Sequence, residues 1–465
     1  MLFMPNFIKQ NKTATLLILS SLIAYWVFAY DLIRVDYFKL VGLYTVLFLL
    51  FYKLLSTFKT NVVVLTYLAF IFRAIFVLAI PNLSQDFYRF IWDGRMILAE
   101  INPFLYTVES FITSGQYPVA EALELRQGMG ALNASHFSNY PPINQLCFLI
   151  AALFSSKSIL GSVVVIRLII IAADFGTLYF GKKLLNKLDI PTHNIFWYIL
   201  NPFIIIELTG NLHFEGVMIF FLILSLYLLY NNQWKWAGIA MAASISVKLI
   251  PLIFLPLFFQ WFTKQDNDNN INDTNTTKLA RLIGFYAIVL TTVILLFLPF
   301  YSAELITNYS KTVALWFQKF EFNASLYYVA RSIGYLFRGY NEIAIIGKIT
   351  PVLVILFILS LTFFRKNLSM KQLITAMLMA LSIYFFTATT IHPWYIATLL
   401  ILSVFTKYKY PLVWSFVIIL SYLAYINLNK ADKSENLWII ALEYIIVYAV
   451  FIWEVFIKKA SKLEA

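Results

Sequence analysis

From residue 14 onward the chain alternates long apolar runs with short polar breaks. The runs are continuous, so they read as helices and not as the in-out alternation of a barrel strand. Many approach the length of about twenty residues that crosses a hydrocarbon core. They fall at 14–30, 38–55, 61–80, 159–181, 195–210, 213–231, 235–249, 250–263, 281–299, 343–364, 371–389, 393–406, 410–427 and 436–456. A helix satisfies its backbone polar groups within one segment, as lipid demands. The pattern therefore predicts an all-α polytopic membrane protein with about 13–14 transmembrane helices, built as a single domain over residues 1–465.

Three stretches interrupt the pattern: a long mixed segment at 81–158, a second at 300–342, and a polar Asn- and Asp-rich tract at 264–280 that predicts a flexible loop. Within the first lies a short apolar run, Ile143 to Phe154. It is short for a span and typical of an interfacial or re-entrant helix. Whether the 143–156 helix crosses stays open at this point.

Composition sharpens the picture. The chain is 61% hydrophobic and 12% charged, with a mean hydropathy of +0.78, well above the roughly 45–50% apolar content of soluble domains. The net charge of +12 does not point to nucleic acid, because Lys and Arg collect in the loops of one face, as the positive-inside rule requires. Lys9 and Lys12 place the N-terminus in the cytoplasm, and Lys458, Lys459 and Lys462 place the C-terminus there too. A non-crossing 143–156 helix puts Lys182, Lys183 and Lys187 on the same side. The 81–158 and 300–342 segments are then external, which is periplasmic for a bacterial inner membrane. Residues 14–30 lack a small-residue cleavage site and read as the first span. The single cysteine, Cys147, excludes an internal disulfide and a four-cysteine metal site.

Polar groups gather near the external ends of the predicted spans: Asp86, Arg89, Asp93 and Arg95; Asn211, His213 and Glu215; Lys248; Arg331; and His392. Ionisable side chains at membrane depth are rare and usually functional. Each also has an ordinary reading. Asp86, Arg89 and Asp93 fit an i,i+3 and i,i+4 salt-bridged helix surface. Lys248 fits a snorkelling lysine, Asn211 and His213 a tight hairpin, and His392 a helix start before Pro393. Trp92, Trp316, Trp394 and Tyr395 fit an aromatic belt. Asp174 and Glu207 fit buried structural polars. As a set, a carboxylate near cationic groups at headgroup level suits chemistry on a phosphate-linked lipid. The carboxylate takes a proton from an acceptor hydroxyl, and the cations hold a phosphate leaving group.

The segments that carry these residues resemble the GT-C superfamily of membrane glycosyltransferases, and within it glycosyltransferase family 87 and the polyprenol-phosphate-mannose-dependent mannosyltransferases. They are "DFYRFIWDGRMILAEINPF", "NYPPINQ", "NPFIIIELTGNLHFEGVMIFFLILSLYL", "SVKLIPL", "WFQKFEFNASLYYVARSIG" and "IHPWYI", in the family's order along most of the chain. The resemblance implies a GT-C-like bundle with short external juxtamembrane helices. It implies transfer of one hexose, with mannose first, from a polyprenyl-phosphate donor to a glycan, glycolipid or protein acceptor on the external face, with inversion, in the building of cell-envelope glycan. Asp86 aligns with the family's base, and Asp93 is the alternative. Lys248, Arg331, His392 and Arg89 are the implied phosphate ligands. Trp92, Arg95, Tyr140, Asn211, His213 and Glu215 are the implied sugar-pocket residues. Two departures, Gln85 where relatives carry a second acid and Glu215 where many carry Asp, argue against a metal. A polysaccharide polymerase or ligase using lipid-linked sugars remains open, as does a non-catalytic lipid-sugar carrier or transporter.

Overall fold

The computed structural model describes residues 12–264, 274–318, 320–423, 426 and 435–458. Lys9, Lys459 and Lys462, used above to orient the chain, and the middle of the polar 264–280 tract lie outside the described residues. Among the described residues the apolar runs are helical, and a single isolated bridge, Phe322 to Thr390, is the one strand-like pairing.

Among the described residues, seven helices are long and apolar enough to cross a membrane: Lys12–Tyr30, Tyr37–Thr57, Ile159–Lys187, Asn275–Phe300, Ile343–Phe363, Met370–Thr387 and Leu437–Ile457. An eighth is a bent pair, Pro202–Gly210 with Glu215–Tyr230. This is an all-α integral membrane protein, with fewer full-length spans than the 13–14 expected. The remaining apolar runs form shorter helices, such as Val62–Ile75, Ile250–Thr263, Pro393–Val404 and Tyr410–Leu423, and Trp234–Ile245 with 12 residues. Proline explains several of them. Its ring removes a backbone donor and clashes with the preceding turn. Pro251 and Pro256 accompany a 3-10 segment over Ile250–Leu257 before α-helix resumes at Phe258–Thr263. Pro202, Pro393 and Pro411 each stand in the first turn of a new helix.

Several helices start on a side-chain cap, which satisfies amide groups that would otherwise be orphaned. Asp36 accepts from the Lys39 amide, Asn61 from Val64, Ser158 from Gly161 and Asn201 from Phe203. Ser369 and Gln372 form a complete capping box.

The bent pair is the irregular feature that places the site. Its first half ends in a wide π turn, Ile205–Gly210, and the second half leaves at 114°. The connection runs through Leu212, whose φ of 63° is unfavourable for a branched side chain. Arg167 holds the break in place. Its guanidinium donates to the carbonyls of Thr209 (2.8 Å), Gly210 (3.0 Å) and Val77 (2.9 Å), which are carbonyls a broken helix leaves unpaired. Deeper in the bundle Arg73 and Asp174, both fully buried, pair at 2.8 Å, so Asp174 is a structural polar group.

The 81–158 segment folds into helices Asp86–Leu98, Val108–Thr113, Ala122–Ala134 and Pro142–Phe154. The last confirms the short helix read from the sequence, and it packs on Asp86–Leu98 and on Ile159–Lys187. Gly94 makes the first contact possible: a Cβ there would stand 2.1 Å from the Phe148 carbonyl oxygen. Phe90 and Phe148 stack beside this crossing with centroids 4.8 Å apart. Gly94→Ala is therefore expected to force the two helices apart and lower the melting temperature in detergent, at a cost of roughly 1–3 kcal/mol. An unchanged melting temperature would show that the crossing does not need the glycine.

Candidate active site

A cavity of about 860 Å³ opens where the Asp86–Leu98 helix meets the bundle. One part of its wall is polar and carries Arg34, Asp86, Arg89, Tyr140, Lys248 and His392. The other is apolar and runs between the Ile250–Leu257 segment (Ile253, Pro256) and the Ile343–Phe363 helix (Val354, Ile358). Charged and apolar side chains thus share one cavity wall.

Asp86 is the one carboxylate on the cavity wall among the described residues. It occupies the first position of its helix, where the helix dipole favours a negative charge. Its backbone amide donates to Ser84 Oγ, and no hydrogen bond or ion pair engages its carboxylate among the described residues. Burial raises its pKa above the ordinary 3.8, while the charges of Lys248 and Arg34 pull it back down. The approach to Asp86 is fixed from two sides. Asn82 donates to the carbonyls of Phe28 (2.7 Å) and Leu32 (3.2 Å). The Leu83 amide donates to Asn211 Oδ1 at 3.0 Å. Asn211 also donates to the Ile206 carbonyl at the π turn. Asn211 therefore works behind the wall, holding the Asp86 segment to the bent span, and does not line a sugar pocket.

Asp93 is fully buried and off the cavity wall. It accepts from Arg89 Nε at 2.7 Å, from Gln145 Nε2 at 3.1 Å and from Ser138 Oγ. Arg89 also donates to the carbonyls of His136 (2.9 Å) and Asn133 (3.2 Å). This knot fastens the Asp86–Leu98 helix to the 133–145 strand of chain that carries Tyr140. With its oxygens engaged, Asp93 anchors this helix and stands off the cavity wall.

Lys248 reaches the cavity with its ammonium 2.6 Å from Glu215, whose side chain is fully buried. Glu215 lies behind the wall as the counter-charge of Lys248. Nearby rings form a column: Phe322 on His392 at 5.2 Å, His392 on Trp394 at 4.7 Å, and Trp394 on His213 at 3.6 Å. Phe322, His392 and Trp394 of this column line the cavity, and His213 stacks behind them. Burial, with Lys248 and Arg34 adding to it, pushes the His392 pKa down to about 3, so its imidazole is neutral at pH 7 and its contribution is that of a hydrogen-bonding group. The backbone pairing of Phe322 with Thr389 and Ile391 holds the column's outer ring.

Other residues named from the sequence are placed elsewhere. Trp92 is fully buried with its indole N–H on Met96 Sδ. Arg95 donates to the Ala120 carbonyl and pairs with Glu121 at 2.9 Å. Arg331 is off the cavity wall and pairs with Glu321 at 2.6 Å, beside Tyr327, which also donates to Glu321. Each is committed to structure by its own partner. Glu207 accepts from Tyr422 Oη at 2.8 and 3.0 Å, which ties the bent span to a cavity-wall residue. Arg34, Tyr422 and Arg167 carry no signal in the sequence pattern. Arg34 stands in a turn between two spans with no motif around it. No three His, Cys, Asp or Glu side chains converge as a metal site needs among the described residues.

The helical membrane bundle thus encloses a cavity whose wall carries one carboxylate, Asp86, together with cationic and apolar groups among the described residues. The sequence pattern of the MptA_B family, alpha-(1->6)-mannopyranosyltransferase, N-terminal domain, matches residues 14–264. The chain belongs to this family, and so to the GT-C mannosyltransferases akin to glycosyltransferase family 87; it is a membrane glycosyltransferase. Comparison with curated proteins finds no match. The matched region contains Asp86, Arg89, Tyr140, His213 and Lys248, while Phe322, His392 and Trp394 lie beyond it.

Removal of one partner from the buried Arg89–Asp93 pair leaves the other charge uncompensated. Asp93→Ala is expected to cost about 3–5 kcal/mol of stability, seen as a lower melting temperature. Asp86→Asn, which breaks no such pair, is expected to melt with the wild type. Equal melting of all three proteins would remove the anchoring role of Asp93.

Proposed function

We propose that this enzyme transfers one mannosyl residue from a polyprenyl-phosphate donor to a hydroxyl of a glycan or glycolipid on the external face, in a single inverting displacement with Asp86 as general base. The observation that carries the reading is the lone carboxylate on a wall that passes from charged to apolar within one cavity. The apolar arm suits a hydrocarbon tail, and the cationic end suits its phosphate. A soluble nucleotide-linked donor has no use for such an arm.

In this reaction the acceptor oxygen attacks the anomeric carbon as its proton passes to Asp86. The bond from that carbon to the phosphate oxygen breaks, and its electron pair leaves with the polyprenyl phosphate. Lys248 and Arg89, each paired with a carboxylate, offer N–H donors to the departing group, and neutral His392 offers a hydrogen bond. Tyr140 shapes the wall facing Asp86, with its ring set edge-on to Phe90 at 5.0 Å. Inversion follows from direct displacement, because a β-linked donor then gives an α-linked product, in keeping with the family's linkage.

The test is turnover of polyprenyl-phosphate mannose by purified protein in nanodiscs. Asp86→Asn is expected to retain less than about one hundredth of wild-type turnover, the loss typical of a missing general base. Full activity in the variant would end the assignment. The acid limb of kcat/KM should also lie above pH 3.8, since the raised pKa of Asp86 means that the ionised base is lost as pH falls through that higher value. An acid limb at or below the ordinary aspartate value would contradict the desolvated environment of this group.

A further inference from the structure

Among the described residues, Arg34, Arg89 and Lys248 are the Arg and Lys side chains of the cavity wall. Two are already spoken for. Lys248 is 2.6 Å from Glu215, and Arg89 is 2.7 Å from Asp93. Each of these pairs is neutral as a unit. Arg34 has no carboxylate within ion-pair distance among the described residues. Its guanidinium lies 5.6 Å from the Tyr422 ring centroid, another group of the same wall.

The turn that carries Arg34 is held in register with the catalytic segment. Lys39 pairs with Asp31 and donates to its carbonyl, and Asp36 caps the following helix. The Leu32 carbonyl, two residues before Arg34, accepts from Asn82, four residues before Asp86. One asparagine side chain thus ties the arginine turn to the chain that delivers the base. The arginine is exposed and also lines the cavity.

We propose that Arg34 is the principal phosphate ligand of this site: the uncommitted cation that receives the monoanionic donor phosphate and stabilises the second negative charge that develops as polyprenyl phosphate leaves. This rests on the polyprenyl-phosphate reading above and assigns the phosphate to a residue outside every motif of the chain. A guanidinium offers two parallel donors to a phosphate, which an ammonium does not. Because the developing charge is greatest in the transition state, Arg34 acts on kcat as well as on donor affinity.

The experiment measures binding of radiolabelled polyprenyl monophosphate to the full chain in nanodiscs, with inorganic phosphate as a competing arm and melting temperature as a control. Arg34→Gln is expected to bind about tenfold more weakly at low salt, as for loss of one charge-assisted contact. Arg34→Lys should fall between the two, and all three proteins should melt alike. Wild-type binding should weaken as ionic strength rises, and the Gln variant should lose most of that salt dependence. In turnover assays kcat should fall together with affinity. Equal binding and equal salt dependence in wild type and Arg34→Gln would overturn the assignment while leaving the donor reading intact. A wild type that binds inorganic phosphate and no polyprenyl phosphate would overturn both.

Discussion

Charge in a membrane protein is tolerated where it is neutralised close at hand, because separation from water penalises an unpaired ion far more than a paired one. This constraint organises the site. Asp93 with Arg89, Glu215 with Lys248 and Asp174 with Arg73 form three close pairs, each with a fully buried carboxylate. Every pair joins elements distant in sequence or locks the helix that carries it. Arg89 and Asp93 fasten the first helix of the 81–158 segment to the chain around Tyr140. Glu215, at the start of the second half of the bent span, fixes the lysine that points into the cavity.

With those pairs closed, two charged groups of the wall stand apart, Asp86 and Arg34. Among the described residues neither has an ionic partner, in a framework whose other wall charges are paired, and the proposed reaction uses both. Asp86 keeps its carboxylate free for a proton, and burial makes it a stronger base than a solvated aspartate. Arg34 keeps its charge free for an anion. Arg34 stands in a turn and Asp86 at the start of a helix, and Asn82 ties the two together while Asn211 steadies the Asp86 segment. In the proposed reaction the rigid pairs act as scaffold, and the unpaired groups meet the substrate.

Much of this architecture was legible in the chain. Continuous apolar runs gave the helical class and most element positions, because the lipid requirement acts locally on each segment. The Trp-Asp-Gly-Arg motif marked a special place, although its residues serve structure: Gly94 permits a helix crossing, Asp93 anchors, and Trp92 and Arg95 fill and brace the core. Sequence could show that Asp86 and Asp93 share a helix. It could not show which one would be enclosed by donors from Ser138 and Gln145, since that depends on how two distant segments pack. Arg331 was named for its place in the second long segment, and Glu321, ten residues away, claims it. Full-length spans were overcounted because proline and the π turn shorten helices without lowering their hydropathy. Arg34 escaped notice because its meaning lies in the absence of a partner, which only three-dimensional structure reveals.

The most direct measurement offers the wild-type enzyme two mannosyl donors in separate reactions, one linked to polyprenyl phosphate and one to a nucleotide, and determines the anomeric configuration of any product by NMR. The account predicts transfer from the β-linked polyprenyl donor alone, with an α-linked product. Efficient transfer from the nucleotide donor, or a β-linked product from the β-linked lipid donor, would contradict a single displacement carried out between a lipid-binding arm and Asp86.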